Sequence, residues 1–355
     1  MTDLTTVPDA TATSPRPPLL EARLLTKHFS IGGGFFGRKK LHAVDDASFV
    51  INRGEIVALA GESGSGKSTI ARLLARVYKP TAGEIYYDGQ PLSRMRTRRS
   101  SQAYRSDVPM VFQDPFSSLN PAYRVSHGIM RGLRLHRPDL RTDAARSAEA
   151  ARVVEAVGLF PAADILERYP HELSGGQRQR IGFAQALAYR PKLILADEPV
   201  SMLDVSIRIG VLNLMSKLRA EAGVSFLYIT HDIASARYVA DRMLIMYAGH
   251  IVESGPTESV LARPKHPYTQ LLLSAVPDPR APLTVGADTD RGEPPKVVDP
   301  APGCRFRFRC PLAIEVCHEV TPALRLLGVG HTAACHVAEP DADLAPATGA
   351  PTETT

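Results

Sequence analysis

No run of apolar residues in this 355-residue chain reaches the roughly 18–20 positions needed to cross a bilayer. The opening stretch, MTDLTTVPDATATSPRPP, lacks the basic and apolar regions of a secretory signal. Cysteine is scarce. There are four, all beyond position 303, which argues against a disulfide framework and asks for a local explanation. The chain is therefore expected in the cytosol, where thiols stay reduced. A strong excess of one charge is also lacking. A net charge of +5 and a pI near 9.0, spread over this length, do not imply nucleic acid as a partner. No internal repeat occurs, so one ligand-binding unit is expected rather than two. What remains is ordinary for a globular protein. Hydrophobic residues make up 44% and charged residues 22%, enough for one large domain with an appendage.

Residues 1–18 and 340–355 are rich in Thr, Pro and Ala and read as disordered tails. Between Leu19 and about Pro264, short apolar runs alternate with helical patterns. EIVALA, AGEIYYD, VPMVFQ, KLILAD, VSFLYIT and RMLIMY read as strands, being short and rich in β-branched residues. Ser206–Ala222 and Ile233–Ala240 read as helices. Such alternation predicts an α/β fold, a largely parallel sheet covered by helices. Ala144, Ala148, Ala151, Val154 and Val157 share helical spacing, so residues 117–175 are expected to form a helical insertion. Residues 278–302 are Pro-rich, charged and patternless, and read as a linker. Arg94, Arg96, Arg98, Arg99 and Arg105 are expected on a solvated loop; the other reading is contact with acidic lipid or with a loop of a membrane partner.

The chemistry is carried by three segments. Gly61-Glu-Ser63-Gly64-Ser65-Gly66-Lys67-Ser68 fits G-x-x-x-x-G-K-[ST], and it follows a predicted strand and opens a predicted helix. Glycines let backbone N–H groups turn toward a polyphosphate, and the helix N-terminus favours the anion. Lys67 can then reach the β- and γ-phosphates, and the Ser68 hydroxyl can hold Mg²⁺. Leu193-Ile-Leu-Ala-Asp197-Glu198 is an apolar strand ending in two carboxylates. Asp197 suits Mg²⁺; Glu198, leaving on another side, can polarise the attacking water. Leu173-Ser174-Gly175-Gly176-Gln177 places a hydroxyl and two glycines at a second helix start. That end also suits phosphate. The first loop already surrounds the phosphates, so the second is expected to approach from another subunit.

LSGGQ followed by RQRIGFAQAL resembles the signature motif of ABC ATPases, and the resemblance extends over about residues 20–275. It implies a P-loop NTPase fold of the ABC nucleotide-binding type. The expected parts are a RecA-like parallel sheet core, an antiparallel β subdomain and a helical subdomain over 19–264, then a small Cys-containing domain over 265–339. By the same resemblance Gln113, in VFQDP, touches Mg²⁺ and water, and His231, in YITHD, is the switch histidine. Phe29 stacks on adenine. Ser201-Met-Leu-Asp204 crosses the dimer interface, with Met202 in place of the more usual Ala. Thr69 completes the nucleotide-binding set. ATP and Mg²⁺ are the implied ligands.

QDPFSSLNP, the HPYT of residues 266–269 and a Cys-bearing tail together resemble the ATP-binding subunits of dipeptide/oligopeptide importers. Members of that branch also move nickel chelates or oligosaccharides. The resemblance implies a paralogous ATPase partner, with a homodimer as the alternative, and two transmembrane permeases served by an external substrate-binding protein. It places the chain on the cytoplasmic face of the membrane. A soluble ABC ATPase outside transport would carry tandem cassettes, zinc modules or coiled-coil insertions, which are not seen. A non-catalytic binder would not need Glu198 and His231. Cys304, Cys310, Cys317 and Cys335 are spaced C-x5-C-x6-C-x17-C, with Pro311 after the second. Three readings stay open: ligands of a [4Fe–4S] cluster, which the branch resemblance favours, a zinc site, or four reduced thiols in a small apolar unit.

Overall fold

The computed structural model describes residues 17–32, 39–114, 119–275 and 297–341. Most of the expected tails and most of the expected linker lie outside the described residues; of the second tail, the Asp341 amide donates to the Leu327 carbonyl at 2.7 Å. The strands are β1 (Leu20–Ile31), β2 (Lys39–Ile51), β3 (Ile56–Ala60), β4 (Ala82–Tyr87), β5 (Gln90–Pro91), β6 (Met110–Val111), β7 (Leu193–Asp197), β8 (Ser225–Thr230), β9 (Arg242–Tyr247), β10 (His250–Pro256), β11 (Arg325–Gly328) and β12 (His331–Ala333). They form two sheets. One is antiparallel, in the order β2-β1-β4-β5; the other runs β11-β12-β10-β9-β3-β8-β7-β6. Within the second, β9, β3, β8, β7 and β6 are mutually parallel.

Every residue of β3, β7 and β8 is buried. That is why their sequences are continuous apolar runs rather than alternating ones: a parallel sheet is covered on both faces. The two-residue period of a strand then divides the core. Ile56, Ala58, Ala60, Ile194, Phe226 and Tyr228 face one cluster, with Ile181 and Phe183. Val57, Leu59, Leu195, Leu227 and Ile229 face the other, with Ile70, Leu74 and the inner face of the antiparallel sheet at Leu25, Val44 and Phe49.

Helices Val125–His136, Asp143–Ala156 and Ala162–Glu167 occupy the region between β6 and β7. Ile129, Leu133, Val153, Val154 and Ile165 bury against the first cluster. Thr142 starts the second of these helices by accepting from the Ala145 amide at 3.1 Å, a side-chain cap for an otherwise orphan N–H.

The basic run is exposed, as expected, but only its first part is a connection. Arg98–Asp107 is a helix, capped by Thr97, whose hydroxyl accepts from the Ser100 amide at 3.1 Å. Tyr104 anchors it by burying its ring and donating its hydroxyl to the Leu74 carbonyl at 2.6 Å. Arg98, Arg99 and Arg105 therefore sit exposed on a short amphipathic helix, while Arg94 and Arg96 lie exposed in the connection before it.

The segment beyond residue 297 is sewn onto the core rather than hung from it. Strand β12 pairs antiparallel with β10, with Glu253 opposite Ala333. The His42 amide donates to the Val297 carbonyl at 2.8 Å, and the Asp299 amide to the Lys40 carbonyl at 2.9 Å. Buried Glu253 accepts from the Lys265 and His266 amides at 2.7 and 2.9 Å and pairs with His331 at 2.7 Å. One carboxylate thus ties the strand edge, the HPYT turn and β12 together.

Candidate functional site

The phosphate loop connects β3 to helix Lys67–Leu74. Two of its glycines have no substitute. Gly61 (φ 153°) and Gly66 (φ 108°) lie so close to neighbouring backbone that a Cβ would stand 2.1 Å from the Met246 carbonyl oxygen and 2.2 Å from that of Ala43. Gly66 caps the helix without a side chain, so the first N–H groups stay available for an anion. Lys67 is 4% exposed and donates to the Gly61 and Glu62 carbonyls, both at 2.8 Å, and to Ser65 Oγ at 3.5 Å. Burial pulls its ammonium below the ordinary value, opposed by the carboxylates of Glu198, Asp197 and Glu62. A buried cation held by carbonyls above a ring of N–H donors is a cradle for a polyphosphate.

Ser68 Oγ donates to Asp197 Oδ1 at 2.9 Å. Burial raises the Asp197 carboxyl above its usual range, with the Ser68 bond opposing. Two oxygens this close, at the mouth of the loop, are hard donors of the kind Mg²⁺ takes. Glu198 follows at the strand end, with φ 47° and its amide donating to the Ile229 carbonyl at 2.9 Å. Its Oε2 accepts from Gln113 Nε2 at 3.1 Å and lies 3.2 Å from His231 Nδ1. Two residues, 85 and 33 positions from Glu198 in sequence, thereby converge on one of its carboxylate oxygens. Phe29 is half-buried, edge-on to Tyr78 with ring centroids 5.3 Å apart, with Lys27 Nζ 5.0 Å from its centroid.

Ser174 is not brought to this cluster. It is exposed and caps helix Gly175–Leu187: its Oγ accepts from the Gln177 amide at 3.2 Å, and the Ser174 amide donates to Gln177 Oε1 at 2.9 Å. Gly176 has no room for a Cβ, which would stand 2.4 Å from Ile207 Cγ2. Asp204 begins helix Val205–Ala222, exposed and without a side-chain cap bond. Beside it Met202 and Val205 are 60% and 70% exposed, an apolar strip next to the serine–glycine end. Ser63, Gly64 and Thr69 lie on the outer part of the phosphate loop and the first helical turn.

The cysteines do not bear out an iron–sulfur cluster. Among the described residues, the group whose metal-ligating atoms converge is His28, His42 and Asp45, within 4.8 Å of one another, and not a cysteine set. Burial pushes the Cys304 thiol up to about 11 and raises Cys335 as well. The histidine–aspartate group is itself an ion-pair network: Arg305 donates to Asp45, and the Asp45 carboxyl is lowered to about 2, burial being outweighed by His28, Arg305 and His42.

Three residues escaped the sequence reading of the site. Glu62 is inside the loop, where the sequence assigns chemistry to the glycines, Lys67 and Ser68 alone. Tyr268 belonged to HPYT, taken as a branch marker. Arg309 stood among the alternating arginines of CRFRFRC. All three meet at the phosphate loop.

The fold and the cradle–carboxylate–histidine arrangement define a P-loop ATPase cassette. A family profile described as ABC transporter matches residues 44–201, and one described as oligopeptide/dipeptide transporter, C-terminal region, matches residues 252–317. A putative peptide import ATP-binding protein of Brucella ovis is 43% identical over 318 residues, covering 90% of this chain and 97% of its own. An oligopeptide transport ATP-binding protein of Bacillus subtilis is 42% identical over 323 residues, covering 90% and 97%. Among solved structures, the dimeric post-hydrolysis state of the ATP-binding cassette MJ0796 bound to ADP and Pi superposes with a TM-score of 0.59 at 28% identity, covering 67% of this chain and 98% of the other. The chain belongs to the ATP-binding subunits of ABC transporters, in the peptide/oligopeptide importer branch. It is an ATP hydrolase coupled to a transport system.

Proposed function

We propose that this chain drives import of di- or oligopeptides by clasping ATP between two ATPase subunits on the cytoplasmic face of the membrane. The observation that carries the reading is Ser174: an exposed helix end with free donor capacity, bonded to Gln177 rather than to the phosphate loop of its own chain. Each ATP would lie between Lys67, Ser68, Thr69 and the N–H groups of Gly61–Gly66 on one subunit, and Ser174, Gly175, Gly176, Gln177 and Asp204 on the other. Phe29 would take the adenine face. Ser68, Asp197 and Gln113 would hold Mg²⁺, which neutralises charge on the transferring phosphoryl group. Glu198 would accept a proton from the attacking water while His231 and Gln113 fix its carboxylate. Positioned charge of this kind is most of what phosphoryl transfer needs. After hydrolysis the second loop loses its γ-phosphate contact, and the clasp opens.

No helix of the described residues is long and apolar enough to cross a membrane; the permease partners are proposed from the relatives, which are described as import and transport ATP-binding proteins. A groove of about 350 Å³ on the helical subdomain, lined by Tyr123, Arg124, His127, Met130 and Tyr169, suits a short permease helix carrying an apolar side chain. It begins a few residues past Gln113, so closure around the γ-phosphate would be felt there. The second ATPase subunit is proposed to be a paralogue, and the cargo to reach the permeases through an external binding protein. Peptide as cargo follows from what the relatives are described as importing.

Ser174→Arg tests the clasp. In the assembled transporter ATP turnover should fall by at least roughly tenfold, while ATP binding to the isolated chain stays as before. Unchanged turnover and unchanged ATP-driven closure would remove Ser174 from the site.

A further inference from the structure

The phosphate loop is gripped from behind by the C-terminal segment. The Glu62 amide donates to the Tyr268 hydroxyl at 2.8 Å. The Glu62 carboxylate accepts two parallel bonds from Arg309, Nη1 to Oε2 at 2.8 Å and Nη2 to Oε1 at 3.0 Å. The Glu62 carbonyl in turn accepts from Lys67 Nζ at 2.8 Å. One residue therefore has its amide, carboxylate and carbonyl all engaged. Two of the three partners come from beyond the ATPase core, across 206 and 247 positions of sequence. Neither partner is loosely held. Tyr268 is fully buried, at 4.5 Å between centroids from Tyr247 and 5.5 Å from Phe306. The Arg309 guanidinium sits 5.7 Å from the Tyr247 centroid and 5.9 Å from that of Phe306. Aromatic faces on one side and a bidentate carboxylate on the other leave it little freedom. A second tie runs parallel: Arg305 donates to Asp45 and to the Ala248 carbonyl, and the Gly249 amide donates to the Ser65 carbonyl at 2.9 Å.

We propose that Tyr268 and Arg309 are positioning residues for ATP, holding Glu62 so that the phosphate loop and Lys67 keep their binding geometry, and that docking of the C-terminal segment thereby sets nucleotide affinity. The physical argument is pre-organisation. An incoming polyphosphate must take Lys67 from the Gly61 and Glu62 carbonyls. If Glu62 is fixed from behind, the loop keeps its N–H groups inward during that exchange. If it is free, ordering the loop is charged against binding. Neither side chain reaches the reacting atoms, so the effect falls on affinity more than on the chemical step. The inference rests on the 61–69 loop holding ATP, which the unaltered chain's own affinity tests separately.

The experiment uses the full chain and a fluorescent ATP analogue, with KM and kcat measured in the assembled transporter. Arg309→Ala and Tyr268→Phe should each weaken ATP binding by about five- to fiftyfold and raise KM alike, with a smaller change in kcat. Tyr268→Phe keeps the buried ring and removes only the hydroxyl, so thermal unfolding should move little. The exchange of charges, Glu62→Arg with Arg309→Glu, should recover affinity that either single change loses. The proposal is overturned by unchanged ATP affinity in both Arg309→Ala and Tyr268→Phe, or by a double exchange no tighter than its singles. If the unaltered chain fails to bind the analogue, the premise about the loop fails instead.

Discussion

Replacing Glu198 by Gln should separate binding from chemistry. The amide keeps the length and shape of the side chain but cannot take a proton from water. Its place is fixed from two directions, by Gln113 at 3.1 Å and His231 at 3.2 Å, so geometry should survive the change. A positioned general base contributes about 10²–10⁴ in rate, so turnover at saturating Mg-ATP should drop by roughly two to four orders of magnitude. In free energy that is about 2.7–5.4 kcal/mol of lost transition-state stabilisation. Affinity should move the other way. Glu198 is one of the charges that raise the Asp197 carboxyl, after burial itself, so removing it relieves repulsion at the metal-binding end of the site. ATP should bind as tightly or more tightly, and the ATP-bound pair of subunits should persist on gel filtration. The assay is phosphate release alongside equilibrium nucleotide binding on one preparation. Turnover within fivefold of the unaltered protein, or loss of ATP binding, would refute the assignment of Glu198 as the base.

Phe29→Ala should weaken adenosine-nucleotide binding by roughly ten- to a hundredfold, the worth of one base–aromatic stack, and Phe29→Tyr should restore it; titration with a fluorescent ATP analogue reads both. Lys67→Ala removes a charged donor to phosphate and should also cost about ten- to a hundredfold in ATP affinity, measured in the same titration. Acid should destabilise the fold through His266. Burial lowers its pKa to about 4, with Glu253 opposing, so the unfolded chain takes up a proton near the ordinary histidine value and the folded chain resists until about 4. Stability contributed by the neutral ring is therefore complete above about pH 6.5 and is lost as pH falls toward 4, by up to about 1.4 kcal/mol per pH unit. Urea unfolding near pH 7 and pH 5 should show this slope. His266→Asn, which can still accept from the Tyr268 amide, should reduce it, leaving the share of His250, which burial also lowers to about 4; an unchanged slope would be the contrary result.

The core of the fold was legible because covered parallel strands must be apolar throughout, and β3, β7 and β8 are. The cradle was legible because its glycines answer a local steric demand: at Gly61 and Gly66 no Cβ fits. Convergence of Gln113, Glu198 and His231 was readable only through the family resemblance, since nothing local in three separate strand ends specifies that they meet. The helix at Arg98–Asp107 was missed because five arginines drew attention to charge, while Thr97, the cap, and Tyr104, the anchor, were the structural signal. The cysteine spacing misled for a different reason. Spacing does not say which ligand atoms converge in the fold, and among the described residues those that do belong to His28, His42 and Asp45. The grip on Glu62 was beyond reach because its partners lie more than two hundred residues away along the chain.

Vanadate photocleavage of the assembled transporter, trapped with Mg-ADP, addresses the shared nucleotide most directly. Vanadate at the γ-phosphate position cuts the backbone it touches on irradiation. Cuts are expected in the 61–69 loop and, only when a second ATPase subunit is present, at residues 174–177. Cleavage confined to the 61–69 loop in the fully assembled complex would contradict a phosphate held by two chains.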